Sequence, residues 1–191
     1  LANATGVTTL NSVNSATQIA QFNNVQSMPT AFGMTNTGVG LTANILNTAL
    51  AGTTDTATLT LDGVTAGTVT LQSITAASGY ETLNIVSAGS TANVLTAVTD
   101  GHGTSLATIN VSGTPAINLG TTLDATVLTV NASDLVGALT VVQTNAVKTT
   151  ITGGAGADVI DISGAFVDLT DTTNADTVNG GDGIDTLILS A

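Results

Sequence analysis

The chain has no cysteine and no tryptophan, and only one tyrosine, three phenylalanines and two prolines in 191 residues. Without cysteine there are no disulfides and no thiolate metal sites. That absence does not indicate a cytosolic protein, because a metal ion can staple a fold in place of a disulfide. An aromatic content of 2% excludes a thick core filled by large side chains. Positive charge is almost missing: Lys148 is the one base against thirteen acidic residues, for a net charge of −12. Phosphate binding needs basic neutralisation, so nucleic acid is excluded as a partner. An anionic membrane surface is excluded on the same ground, and divalent cations are the obvious counter-charge. No run of about 20 apolar residues exists to span a bilayer, which argues against membrane insertion. The first residue is Leu1, and no charged leader followed by an apolar segment opens the sequence. The chain is therefore read as an excised piece of a longer polypeptide.

Hydrophobic residues make up 42% of the chain, too many for simple disorder. They are mostly Ala, Val, Leu and Ile, with Thr, Asn and Gly filling much of the rest. Charged residues are only 7%, against roughly 25% in ordinary domains. This mixture suits a thin β-stack with many turns. From Ala57 onward, short strands alternate with turns, as in Thr58-Leu59-Thr60-Leu61 and Thr68-Val69-Thr70-Leu71. Period-2 alternation places apolar side chains on one face and threonine on the other. Leu83-Asn84-Ile85, Ile109-Asn110-Val111, Leu128-Thr129-Val130 and Thr150-Ile151-Thr152 read as successive versions of one rung. Their separation, roughly 19 to 26 residues, is that of solenoid coils. A β-sandwich also has many short strands, but the lack of an aromatic-centred core favours the solenoid.

The expected fold is all-β, a parallel β-solenoid or β-roll. Residues 1–56 form an irregular N-terminal part, 57–152 a Thr-rich solenoid and 153–191 a Gly/Asp-turn segment. In the first part Leu41, Ile45, Leu46, Ala49 and Leu50 fall near helical spacing and predict one short helix. Pro29 breaks any ladder, so Met28–Phe32 reads as a turn or insertion.

Two nonapeptides share one template. Gly153-Gly154-Ala155-Gly156-Ala157-Asp158-Val159-Ile160-Asp161 and Gly180-Gly181-Asp182-Gly183-Ile184-Asp185-Thr186-Leu187-Ile188 both read G-G-x-G-x-D-x-U-x, with U a large apolar residue. They begin 180 − 153 = 27 positions apart, three ninefold steps. The block Asp171–Asn179 keeps Asp176 and Val178 in phase and puts Asn174 where the template has glycine. The block Ile162–Thr170 fits poorly. Glycine turns bring carbonyl oxygens close together, and an aspartate at the turn's end adds a carboxylate. Calcium takes six to eight such hard oxygens at about 2.3–2.6 Å. Seven of the thirteen acidic residues lie between Asp158 and Asp185. Charges packed this densely repel unless a cation neutralises them. The candidate metal-binding residues are Gly153, Gly154, Gly156, Asp158, Asp161, Asp171, Asn174, Asp176, Gly181, Asp182, Gly183 and Asp185.

The segment Gly153–Ala191 resembles the calcium-binding parallel β-roll of RTX proteins. The whole chain, acidic and Thr-rich with rungs such as Glu81-Thr82-Leu83-Asn84-Ile85, is similar to RTX-type bacterial S-layer proteins. The resemblance implies a secreted, calcium-dependent surface protein that assembles with its own copies into two-dimensional coats. It also implies two nonapeptides per coil, with calcium between turns two repeats apart. Carried over, Gly153–Asp158 would stack on Asp171–Asp176, with Asp158 and Asp176 sharing an ion. Gly180–Asp185 would stack on Ile162–Thr170.

Catalytic patterns are missing. His102, in Asp100-Gly101-His102-Gly103, is the single histidine and cannot make a zinc-protease motif. It reads as a turn residue, with a minor metal ligand beside Asp100 as the alternative. Gly103–Ala107 fails the nucleophile-elbow pattern at its last position. No enzyme is expected. The leading functional expectation is a calcium-dependent surface-coat building block whose uncharged Thr/Asn/Ala faces pack against neighbouring copies. The alternatives are a module of a secreted RTX adhesin and, through arrays such as Thr58–Thr60 and Thr68–Thr70, an ice-binding face. Those two arrays are too irregular to present one flat rank.

Overall fold

The computed structural model describes residues 4–75, 78–102, 105–144, 148–164 and 175–189. It is an all-β solenoid with one short 3₁₀ turn at Asn47–Ala49. The N-terminal strands are β1 (Thr9–Val13), β2 (Ala20–Val25), β3 (Ala31–Thr35), β4 (Leu41–Ile45), β5 (Thr56–Asp62) and β6 (Thr68–Ser73). The middle strands are β7 (Thr82–Ala88), β8 (Asn93–Val94), β9 (Ala97–Thr99), β10 (Thr108–Gly113), β11 (Ile117–Asn118) and β12 (Thr122–Leu123). The last are β13 (Thr129–Leu135), β14 (Leu139–Val142), β15 (Thr150–Thr152), β16 (Val159–Asp161), β17 (Thr177–Asn179) and β18 (Thr186–Ile188).

These strands form three parallel sheets. The first has eight strands in the order β1-β3-β5-β7-β10-β13-β15-β17. The second runs β12-β9-β6-β4-β2 and the third β18-β16-β14-β11-β8. Strands adjacent in a sheet belong to successive coils, so each coil hydrogen-bonds to the next along its backbone. Register is set by inside/outside alternation: shifting a strand by one residue would turn its apolar side chains to solvent. β7 alternates half-buried and buried residues along its whole length, and β6 does the same.

The inward columns are aliphatic. Ala57, Leu83, Ile109, Val130 and Ile151 occupy register-matched positions, and all are essentially inaccessible. Each large aliphatic side chain buried in this way contributes about 1.5–3 kcal/mol. The outward columns are polar. Thr56, Thr82, Thr108, Thr129, Thr150 and Thr177 follow one another across the eight-stranded sheet in steps of 26, 26, 21, 21 and 27 residues. Two positions further along each strand runs a column of Thr58, Asn84, Asn110, Asn131, Thr152 and Asn179. Within it the Asn110 amide donates to Asn84 Oδ1 at 2.8 Å.

The structure corrects several expectations. Residues 1–56 are not irregular where described, since β1 to β4 extend the same sheets in register with β5 and β6. The expected helix over Leu41–Leu50 is β4 followed by the 3₁₀ turn: stacking on β6 buries Leu41, Ala43 and Ile45 with period 2. Pro29 does stop the ladder, but β3 begins two residues later. The Pro29 carbonyl accepts the Tyr80 hydroxyl at 2.6 Å. Tyr80 stands edge-on to Phe32, with centroids 6.0 Å apart, and burial raises its phenol well above the ordinary range, with Asp55 adding to the effect. The rung at 128–130 is out of phase. Val130, not Leu128, lies opposite Ile109, and Leu128 is 42% exposed.

The Asn93 side chain sews two successive coils together. Its side chain is fully buried; Oδ1 accepts from Val64 N, and Nδ2 lies within bonding distance of Leu61 O, Ser87 Oγ and Ala88 O. Removing it leaves buried backbone groups without partners, at about 1–3 kcal/mol each. Asn93→Ala is expected to destabilise the chain by about 2–4 kcal/mol in urea unfolding. Asn110→Ala on the outward face should cost much less.

Candidate functional site

Turn chemistry positions the acidic segment. Gly181 and Gly183 have φ of +89° and +111°, a region that side chains disfavour. A Cβ on Gly181 would collide with the Gly154 carbonyl, and one on Gly183 with the Gly156 carbonyl. Glycine thus lets one turn lie directly on another. Gly153 N donates to Asn179 O at 2.8 Å, Asp182 N to Gly154 O at 2.9 Å and Thr186 N to Asp158 O at 2.8 Å.

The two nonapeptides are therefore direct neighbours. Gly153–Asp158 stacks on Gly180–Asp185, one 27-residue coil later, because β15 pairs with β17 and β16 with β18. This replaces the expected two-nonapeptide coil. Asp158 leads into β16 of the third sheet and Asp176 into β17 of the first, so they stand at different corners of the coil rather than in one stack of turns. The expected stacking partners Asp171 and Asn174 lie outside the described residues, as does most of Ile162–Thr170.

The carboxylates brace the coils. Asp158 is fully buried; its Oδ1 accepts from Leu139 N at 2.7 Å and its Oδ2 from Gly154 N at 2.6 Å. Asp185 Oδ1 accepts from Asp158 N at 3.0 Å. Asp176 Oδ1 accepts from both the backbone N–H and the hydroxyl of Thr149, each at 2.8 Å. Each acid reaches back one coil to a backbone N–H. Such charge-assisted bonds are shorter and stronger than neutral ones, which offsets the cost of burying a carboxylate. Asp161 makes a local turn bond instead, accepting from Ser163 N at 2.8 Å.

Two acids outside the candidate set act in the same way. Glu81 Oε2 accepts from Asp55 N at 2.6 Å, and Asp124 Oδ2 from Asp100 N at 2.8 Å. The available signal was positional: Glu81, Asp158, Asp176 and Asp185 each stand one residue before a strand. His102 is an exposed turn residue.

The donor set suits a hard cation in part. Among the described residues, no three His, Cys, Asp or Glu side chains converge on one point. Both oxygens of Asp158 are already engaged by N–H groups. Asp176 differs, because its Oδ2 is buried and has no hydrogen-bond partner among the described residues. A shallow depression of about 340 Å³ on the stacked turns is lined by Gly153, Gly154, Gly181, Asp182, Thr152 and Asn179, among others. The oxygens lining it belong to carbonyl, amide, hydroxyl and carboxylate groups, the hard-oxygen chemistry that calcium takes.

Every described acidic side chain lies in a turn or within a residue of a strand end, so the broad sheet faces are nearly uncharged. Strands β1 to β4 carry no formal charge, since the first acidic residue is Asp55. No helix is long and apolar enough to cross a membrane among the described residues. No protein-family model matches the chain, nor does any curated protein or solved structure.

Asp158→Ala leaves two buried N–H groups without an acceptor and is expected to cost about 2–4 kcal/mol. The loss should be the same in chelator as in calcium, because the bonds are to backbone. Asp182→Ala, at an exposed position, should leave calcium-free stability unchanged. Urea melts of both variants in each buffer check this.

Proposed function

We propose that this chain is a structural module of a secreted bacterial surface coat of the S-layer type, tightened by calcium and built by contact between copies. The observation that carries this reading is the segregation of charge. The described acidic residues are confined to turns and strand ends, while the sheet faces present uncharged threonine and asparagine. Turns so charged favour a divalent cation as counter-ion. Faces so weakly charged favour contact with protein over solvation.

The turn carbonyls of Gly153–Gly156 and Gly180–Gly183 and the Asp182 carboxylate are the groups that would hold calcium; the unbonded oxygen of Asp176, at the corner before β17, would need an ion of its own. The ion would neutralise the acidic turns and draw successive coils together. Asp158 and Asp185 hold the backbone in place around it. The resemblance of the two nonapeptides to RTX repeats supports the choice of calcium over magnesium, which demands stricter octahedral geometry.

Millimolar calcium is expected to turn soluble protein into ordered sheets visible by electron microscopy, and chelation to dissolve them. Hydrogen exchange should slow most over residues 148–164 and 175–189, because binding the folded state stabilises it. Monomers at high protein and millimolar calcium would sink the coat reading. Identical exchange and melting with and without calcium would sink the metal reading.

A further inference from the structure

We infer that the outward face of the eight-stranded sheet is a two-fold contact between copies of this chain, an inference that rests on the building-block reading above. Its centre is formed by Thr82, Thr108 and Thr129 with Asn84, Asn110 and Asn131, aligned coil on coil. None of these side chains carries a charge. Two copies meeting at their corners would bring aspartates together, whereas meeting on this face keeps the acids at its margins. Asp62 and Asp134 are the acids on its strands, and both lie toward strand ends.

The face is also self-complementary. A threonine hydroxyl both donates and accepts, and so does an asparagine amide, so the same surface can bond to itself about a two-fold axis. The bond from Asn110 to Asn84 holds part of the rank in place before contact, reducing the ordering cost of association. Size is adequate as well. Eight strands about 4.8 Å apart and about five residues long cover roughly 35 by 17 Å. That is about 1,200 Å² over two copies, at the lower end of specific interfaces. A contact of that size suits a lattice, where many modest interfaces act together. The ranks that matter are those formed across coils, not the within-strand arrays Thr58–Thr60 and Thr68–Thr70.

Because the chain has no cysteine, single substitutions report contact directly. Asn110→Cys lies on this face, while Thr42→Cys and Thr140→Cys are half-buried outward positions on the second and third sheets. Under mild oxidation in the calcium buffer that gives assembly, Asn110→Cys is expected to form a disulfide-linked dimer at least tenfold faster than either control. Thr129→Cys repeats the measurement should Asn110→Cys fail to fold by circular dichroism. Asn110→Glu combined with Asn131→Glu should abolish the dimer in sedimentation while leaving the far-ultraviolet spectrum unchanged. Equal or faster cross-linking at a control position, or full assembly of the double glutamate variant, overturns the inference but leaves the coat reading standing. A chain that is monomeric in every condition overturns both. Retention on an insoluble polysaccharide without self-association would give the face to a foreign partner and overturn the inference.

Discussion

Everything in this molecule depends on the backbone ladder between successive coils. A strand of two to seven residues is too short to be stable alone. Here each is clamped by neighbours before and after it in the stack. The parallel arrangement makes every coil the template for the next. It also explains how a chain with so few aromatic residues can fold: the core need only be as wide as two facing aliphatic side chains. Stability is then close to a sum of coil contributions and coil–coil interfaces, as in other repeat architectures.

The ladder creates a problem at its corners, where the chain leaves a sheet and its N–H groups lose their partners. Carboxylates solve it. Asp158, Asp176, Asp185, Glu81 and Asp124 each accept a backbone N–H from the preceding coil, and Asn93 does the same with an amide oxygen. The acidic composition is in this respect a consequence of the architecture before it is a matter of ligands. Asp158 spends both oxygens on such bracing, whereas Asp176 spends one and leaves the other without a hydrogen bond among the described residues.

Fold class was legible because alternation and β-branching act locally: strands such as β5, β6, β7 and β10 can be read from a few residues. Coil register was not, because it is a relation between distant segments with variable turns between them. The phase error at Leu128 shows this. Leu128 and Val130 look alike in isolation, and only the partner strand tells which turns inward. The region 1–56 misled because its turns lack the Gly/Asp signature, although Leu41, Ala43 and Ile45 alternate as strictly as later strands. The two nonapeptides were recognisable, yet their mutual placement depended on whether a coil takes two or three ninefold steps, and spacing alone fits either.

Strands β1 to β4 bear no ionised side chain, while the acids accumulate toward β16 to β18. The stacking direction is thus an electrical axis as well as a geometric one. Added salt, which screens over about 10 Å at 0.1 M, would soften repulsion at one pole and leave the other untouched. A field or a charged support would orient such molecules all the same way.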